Sequence, residues 1–518
     1  METEMQITKM KLVSFLLFSL TLFSSNLVLS DEPKRDGNWM IAKDEATGVT
    51  TLKMDLTLSP KKECKPALRY RLIADGFDLL DENSAIYYLK ALGFLEQRQS
   101  LELLMKERAQ LRKTAEESGK LIESLPPNVW EDQTPAELPL DKVKEHLSRT
   151  EFQTPILAEA AKRKHFSMDR NIRSVDDPAM YLLPEIQSMR ELARAQSLRC
   201  RFAIAEGRVE DAFTILGQQF ALARHLDQDS FLVSALVGSA IAVIAWEDSL
   251  HLLQHPECPN LYWAFASLPT PLIKMENAMD FERQFFFEQV KVMREVDETP
   301  RDASYWQAFI EKFEQQVRNL EFPTADGSPD KQGMDRATID AMITDSHAGA
   351  KKYLIEDLGM DKKIVEAYPK AQAVFLAMKR MHEYLRDEGS KWRFVPFATA
   401  AASAEYQKMD SDFREMTAKL GPAGVVCGIL LPGFPSAFNV QQRIQVKIAM
   451  TQTIESIRDY ADTNEGKLPS SLTDLRLPAP LDPFTGKPIQ YELKDGYAVL
   501  STQDFWKVKW QLTMRVRN

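Results

Sequence analysis

Hydrophobic and polar positions change period twice along this chain. Leu52, Met54, Leu56 and Leu58 alternate with Lys53, Asp55 and Thr57; after Ser59-Pro60, Leu68, Tyr70 and Leu72 alternate with Arg69 and Arg71. Period two predicts two short strands in an extended segment at 31–82. From Asn83 the repeat turns helical. Ala85, Tyr88, Leu89, Leu92 and Leu95 recur every three or four residues, and Ser100 to Leu125 reads as a charged amphipathic helix ended by Pro126-Pro127. A Pro-punctuated connector from Pro127 to Pro139 leads into further helices.

The best-defined unit is a helix-turn-helix from Pro184 to Leu226. Leu192, Ala195, Leu198, Phe202 and Ala205 form one stripe, Gly207-Arg208 the turn, and Ala212, Ile215, Leu216, Phe220 and Ala223 the next stripe. Ala203, Gly207 and Asp211-Ala212-Phe213 resemble the turn and second helix of a tetratricopeptide repeat. Stacked repeats bury their faces only when about three or more follow one another, and one copy is legible. The pattern over 83–435 therefore predicts irregular helical pairs, with the Pro- and Gly-rich stretch 322–333 as the linker candidate.

Near Ser436 the architecture changes again. Val440, Ile444, Ile448, Ile454, Ile457 and Ala461 mark a long helix that Asn464-Glu465-Gly466 stops. Strands are expected at Ile489 to Leu493 and Tyr497 to Ser501, joined by Asp495-Gly496, a strong hairpin signal. A third follows where Val508, Trp510, Leu512, Met514 and Val516 alternate with polar residues. The expected fold is mainly α: an irregular, partly tetratricopeptide-like array of helical hairpins, with short N-terminal strands and a small C-terminal α+β module at 436–518.

Two apolar runs bear on location. Lys9 and Lys11 precede the run Leu12 to Phe23, and Val28 and Ser30 place small side chains at the −3 and −1 positions of a cleavage site before Asp31. This is the pattern of a secretory signal peptide over 1–30, cut between Ser30 and Asp31. Its rival is an uncleaved anchor spanning Leu12 to Leu29, which Ser24, Ser25 and Asn26 interrupt. The second run, Ser230 to Trp246, carries no charge but lies between Asp229 and Glu247-Asp248, at the lower limit of spanning length. It is expected to be a buried core helix, leaving no transmembrane span after signal removal.

Composition narrows the class. Hydrophobic residues at 44% and charged residues at 27% are ordinary globular values. A formal charge of −10 argues against a nucleic-acid partner, which needs a surplus of Lys and Arg. Four cysteines, Cys64, Cys200, Cys258 and Cys427, are too sparse for a disulfide scaffold, leaving room for one or two bridges of open connectivity.

The one constellation with ligand spacing is Glu247, His251 and His255, at successive i, i+4 steps with Cys258 beyond Pro256. Such spacing lets a helix grip Zn²⁺ from one side. No His-Glu-x-x-His signature accompanies it, and His residues near a helix C-terminus also serve its carbonyls and dipole, so neither a metal nor a cofactor is expected. Gly238-Ser239 lacks a nucleophile elbow. The acid pairs Asp176-Asp177 and Glu247-Asp248 read as solvated surface, and the aromatic clusters Tyr262-Trp263-Phe265 and Phe285-Phe286-Phe287 as packing. No catalytic residue is assigned.

Several phrases act as a set: Pro66 through Leu72, Asn83 to Tyr88, Ile204 to Ala212, Ala221 to Leu226, Pro259 through Ala264, and Leu468-Pro469 with Asp482 through Pro488. Together they resemble a family of uncharacterised exported helical proteins of planctomycete bacteria. That likeness implies an envelope location and no known activity. The tail is also similar to the globular part of type II secretion pseudopilins, though its helix is internal and no calcium-binding acidic loop follows Gly496. The expectation is an exported periplasmic, cell-envelope or secreted protein that binds or scaffolds a protein or envelope component without catalysis. The alternative is an exported hydrolase with a dispersed active site.

Overall fold

The computed structural model describes residues 34–517 apart from 94–97, 120–124, 176–177, 179–180, 182, 319–321, 324–328, 331–333, 430–433 and 505–506. The signal segment 1–30 with its Ser30/Asp31 site, the Asp176-Asp177 pair and most of the 322–333 linker candidate lie outside these residues. The chain is about 60% helical, with a small sheet completed by its C-terminal strands, as the periodicity predicted.

The chain divides into two compact units. A helical unit gathers Arg170–Leu182 and Met279–Phe438; a sheet-bearing unit gathers the described part of Leu29–Asp169 with Leu183–Ala278 and Asn439–Asn518. The helical region 83–435 is thus shared between two cores. In the helical unit, Phe309, Phe313 and Phe375 pack at the centre, with ring centroids 4.8 Å apart between Phe375 and each of the others. At the linker candidate, strands Phe322–Pro323 and Pro329–Asp330 form a small antiparallel pair.

In chain order the ten strands among the described residues are β1 (Lys34–Asp36), β2 (Trp39–Lys43), β3 (Thr50–Leu58), β4 (Leu80–Asn83), β5 (Arg163–His165), β6 and β7 (the small pair), β8 (Gln490–Lys494), β9 (Tyr497–Ser501) and β10 (Val508–Val516). Six of them make one sheet in the order β1-β2-β3-β10-β9-β8. The hairpin forms where expected, with Asp495 and Gly496 at φ 48° and 83°, the left-handed pair that a type I′ turn requires.

The sequence pattern had separated the N-terminal strands from a C-terminal module, and the structure joins them. β10 runs parallel to β3 along its whole length, from Val508 opposite Thr50 to Val516 opposite Leu58. This register puts Trp510, Leu512 and Met514 on the buried face with Met54, Leu56 and Leu58. A one-residue slip of either strand would turn its own apolar set toward water, so the shared alternation fixes the pairing. The tail is therefore half of a sheet rather than an autonomous module.

The segment Leu68 to Leu72 is not a strand. Leu68 is 54% exposed, Tyr70 packs edge-on against Phe213, and Leu72 is buried where its carbonyl meets Gly217. The segment is held by side chains against a helix and its backbone pairs with no strand among the described residues, which alternation alone cannot foresee.

The predicted hairpin consists of helices Pro184–Ala205 and Val209–Leu226. Gly207 at φ 72° closes the first one: its N–H bonds to Ile204 and that of Arg208 to Ala203, the paired bonds of a Schellman turn. The apolar helix Leu232–Leu253 packs on the second so closely that a Cβ at Gly238 would stand 2.6 Å from the Ala223 carbonyl oxygen. It is the one helix among the described residues long and apolar enough to cross a membrane, and most of its apolar window is buried inside the fold. The long helix Phe434–Thr463 ends at Glu465 and Gly466, both at positive φ. From Ile444 onward it buries Thr451, Thr453, Glu455, Ser456, Arg458 and Asp459 as well as its apolar stripe.

Candidate functional site

The apolar helix Leu232–Leu253 brings the ionisable groups singled out in the sequence into the sheet-bearing unit, where each finds its own partner. Glu247 Oε1 accepts from Trp39 Nε1 at 2.9 Å. His251 Nε2 lies 3.0 Å from Asn38 Nδ2 and, as the acceptor, leaves the ring proton on Nδ1; burial lowers this imidazole to about 3, so it stays neutral. His255 Nδ1 accepts from the Glu257 backbone at 3.2 Å. The Cys258 thiol is pushed up to about 12 by burial and donates to the Pro259 carbonyl. Among the described residues no three His, Cys, Asp or Glu side chains are grouped to hold a metal ion.

The Glu247-Asp248 pair is not solvated surface. Asp248 is fully buried and accepts from Ser197 Oγ at 2.9 Å, Arg201 Nε at 2.8 Å and Gln219 Nε2 at 3.0 Å. Burial still raises its carboxyl above the usual range, and raises that of Glu247 too. Arg201 also reaches the Glu131 and Gln133 carbonyls, so one ion pair ties three segments together. An apolar run ending in two acids reads as a helix meeting water; here the acids continue inward because a buried arginine waits opposite them.

One strongly perturbed cation, Lys447 on the long helix, was missed by sequence reasoning. Its ammonium lies 3.8 Å from the Trp246 ring centroid, 4.5 Å from Trp510 and 5.7 Å from Trp39. Trp39 and Trp246 stack at 5.5 Å, and Trp246 Nε1 donates to Thr451 Oγ1 at 2.9 Å. Desolvation lowers the amine from its ordinary 10.5 to about 7, opposed by Glu247 and reinforced by Arg443. A lysine between Val446 and Ile448 was the available signal. The box itself was invisible, because its three indoles come from β2, the apolar helix and β10.

A second buried network joins the long helix to the N-terminal segment. Arg458 binds both Glu455 oxygens, at 2.8 and 3.0 Å, and the carbonyls of Ser59 and Cys258. Glu63 accepts from Trp263 Nε1 at 3.0 Å and from Arg476 at 2.6 Å; these bonds and Lys65 hold its carboxyl near 2. Trp263 and Tyr262, whose hydroxyl donates to Pro478, are thus packing residues. So is Phe286, stacked on His382 at 4.1 Å. Asp482 begins the turn over Asp482 to Pro488, its carboxylate accepting from the Phe484 N–H at 2.8 Å. All four cysteines are free thiols.

At the surface, the hairpin turn opens a shallow concavity of about 440 Å³ lined by Tyr70, Gly207 to Asp211, Glu257 and Pro259. Tyr70 donates to Glu210 at 2.7 Å, and Arg208 pairs with Glu206 and Asp211. The chain matches no known family model, no curated protein and no solved structure.

Proposed function

We propose that this is an exported protein of the cell envelope that binds or scaffolds a protein or envelope component without catalysing a reaction. The observation that carries this reading is how the buried charges are spent. Asp248, Glu455 and Glu63 each engage an arginine together with groups from other segments, so these ions work as internal ties. The open concavity at the hairpin turn offers exposed carboxylates and the Tyr70 ring to a partner's surface. Export rests on the Lys-flanked apolar run before Asp31, and the acidic balance of −10 disfavours nucleic acid.

The test is cross-linking and capture from native envelope with the mature protein. A specific partner should be retained and should be lost with Glu257→Arg, which reverses a charge on the rim of the concavity. Retention of no partner, or equal retention by this variant, would count against the reading.

One observation favours the hydrolase alternative: perturbed groups such as Lys447 and Glu247 cluster at catalytic sites. Turnover of ester, phosphoester, peptide or glycoside substrates that disappears in Lys447→Met would establish it instead.

A further inference from the structure

Lys447 reaches the indole faces of three elements that are far apart in sequence. Trp39 belongs to β2, Trp246 to the apolar helix and Trp510 to β10, and the lysine itself to the long helix. All four side chains are at most 7% exposed. No carboxylate among the described residues lies within ion-pair distance of this amine. Its charged neighbours are Glu247 on the apolar helix and Arg443 one turn earlier on its own helix. Beyond these, Asp248 is occupied by Arg201, and His251 is neutral and bonded to Asn38. The two strands contribute indoles and no facing charge that bears on the amine.

We propose that Lys447 is a proton-operated latch, whose neutral amine lets β2 and β10 seat tightly on the two helices and whose ammonium loosens them. The physical basis is a competition. Indole faces attract the ammonium, while removal from water penalises it more strongly. Losing the proton removes that penalty and leaves an alkyl amine against three flat apolar rings. Because the rings belong to the sheet as well as to the helices, the proton acts on the docking of the sheet.

The sign follows from linkage. Below about pH 7 the amine is protonated in folded and unfolded chains alike, so stability is independent of this group. Between about 7 and 10.5 the unfolded chain binds the extra proton and stability rises with pH. Glu247, raised by burial, acts in the opposite sense, between the ordinary 4.5 and its folded value.

Three proteins test the latch: wild type, Lys447→Met, which removes the titration, and Lys447→Arg, which keeps the charge. In wild type the indole N–H resonance of Trp246, which is bonded to the non-titrating Thr451 hydroxyl, should shift with a midpoint near neutrality in ¹⁵N-indole NMR. In Lys447→Met it should not shift over that range. Amide exchange of β2 and β10, taken as a ratio to Lys447→Met at the same pH, should be raised below neutrality and approach unity above it. Lys447→Arg should show the loose pattern throughout; if it does not fold, the wild-type and Met comparison decides alone. A Trp246 indole resonance that fails to titrate in wild type, or that titrates equally in Lys447→Met, would overturn the proposal.

Discussion

Two buried histidines show how one residue type can serve opposite ends. His225 accepts from the Tyr88 hydroxyl at 2.7 Å through Nδ1 and donates to the Arg163 carbonyl at 2.8 Å through Nε2, and burial lowers it to about 4. His382 is just as enclosed, lies against Phe286 and Phe287, and has no hydrogen-bond partner at either nitrogen among the described residues. An unmet buried polar group costs about 1–3 kcal/mol, whereas a satisfied one is costly to remove. His382→Phe should therefore raise the melting temperature of the helical unit, and His225→Phe should lower that of the sheet-bearing unit, by calorimetry. Glu63 supplies a pH dependence. Its carboxyl is held near 2 against an ordinary 4.5, so its stabilisation is complete above 4.5 and is lost as pH falls toward 2. Glu63→Gln should flatten the acid limb of the stability curve over that window.

Among the elements, the apolar helix is the sharpest case. Gly238 lies inside it because the neighbouring helix passes too close for any side chain, with the Ala223 carbonyl oxygen 2.6 Å from where a Cβ would be. Elsewhere in a helix Gly→Ala gains about 1 kcal/mol from propensity. Here Gly238→Ala should reverse that sign and lower the urea midpoint, since the helix pair must separate to admit a methyl group. A midpoint equal to or above wild type would show that this packing is looser. The same helix explains a misreading: an apolar run ending in two acids suggested an exposed end, but Arg201, Gln219 and Ser197 converge on Asp248 from neighbouring helices. Burial of a charge is decided by its partner's position, and spacing along one helix does not contain that position.

For the molecule as a whole, β3 and β10 at the centre of the sheet join residues 50–58 to residues 508–516 in a single element. A fragment comprising Asn439–Asn518 should fail to fold alone, because β10 would lose its longest pairing and the long helix would expose its buried charges. Circular dichroism and amide NMR of the fragment would check this; a dispersed spectrum would refute it. Local periodicity was enough to place the helical hairpin, the Asp495-Gly496 turn, the buried apolar helix and the three C-terminal strands. Each of these depends on backbone preference and on which side of a single element is apolar, and neighbouring residues carry both. Folding alone settled the division into two cores, the parallel pairing of β3 with β10 and the enclosure of Lys447 by three indoles. Those features bring together residues hundreds of positions apart, and the free energy that selects them arises only when whole elements exclude water from each other.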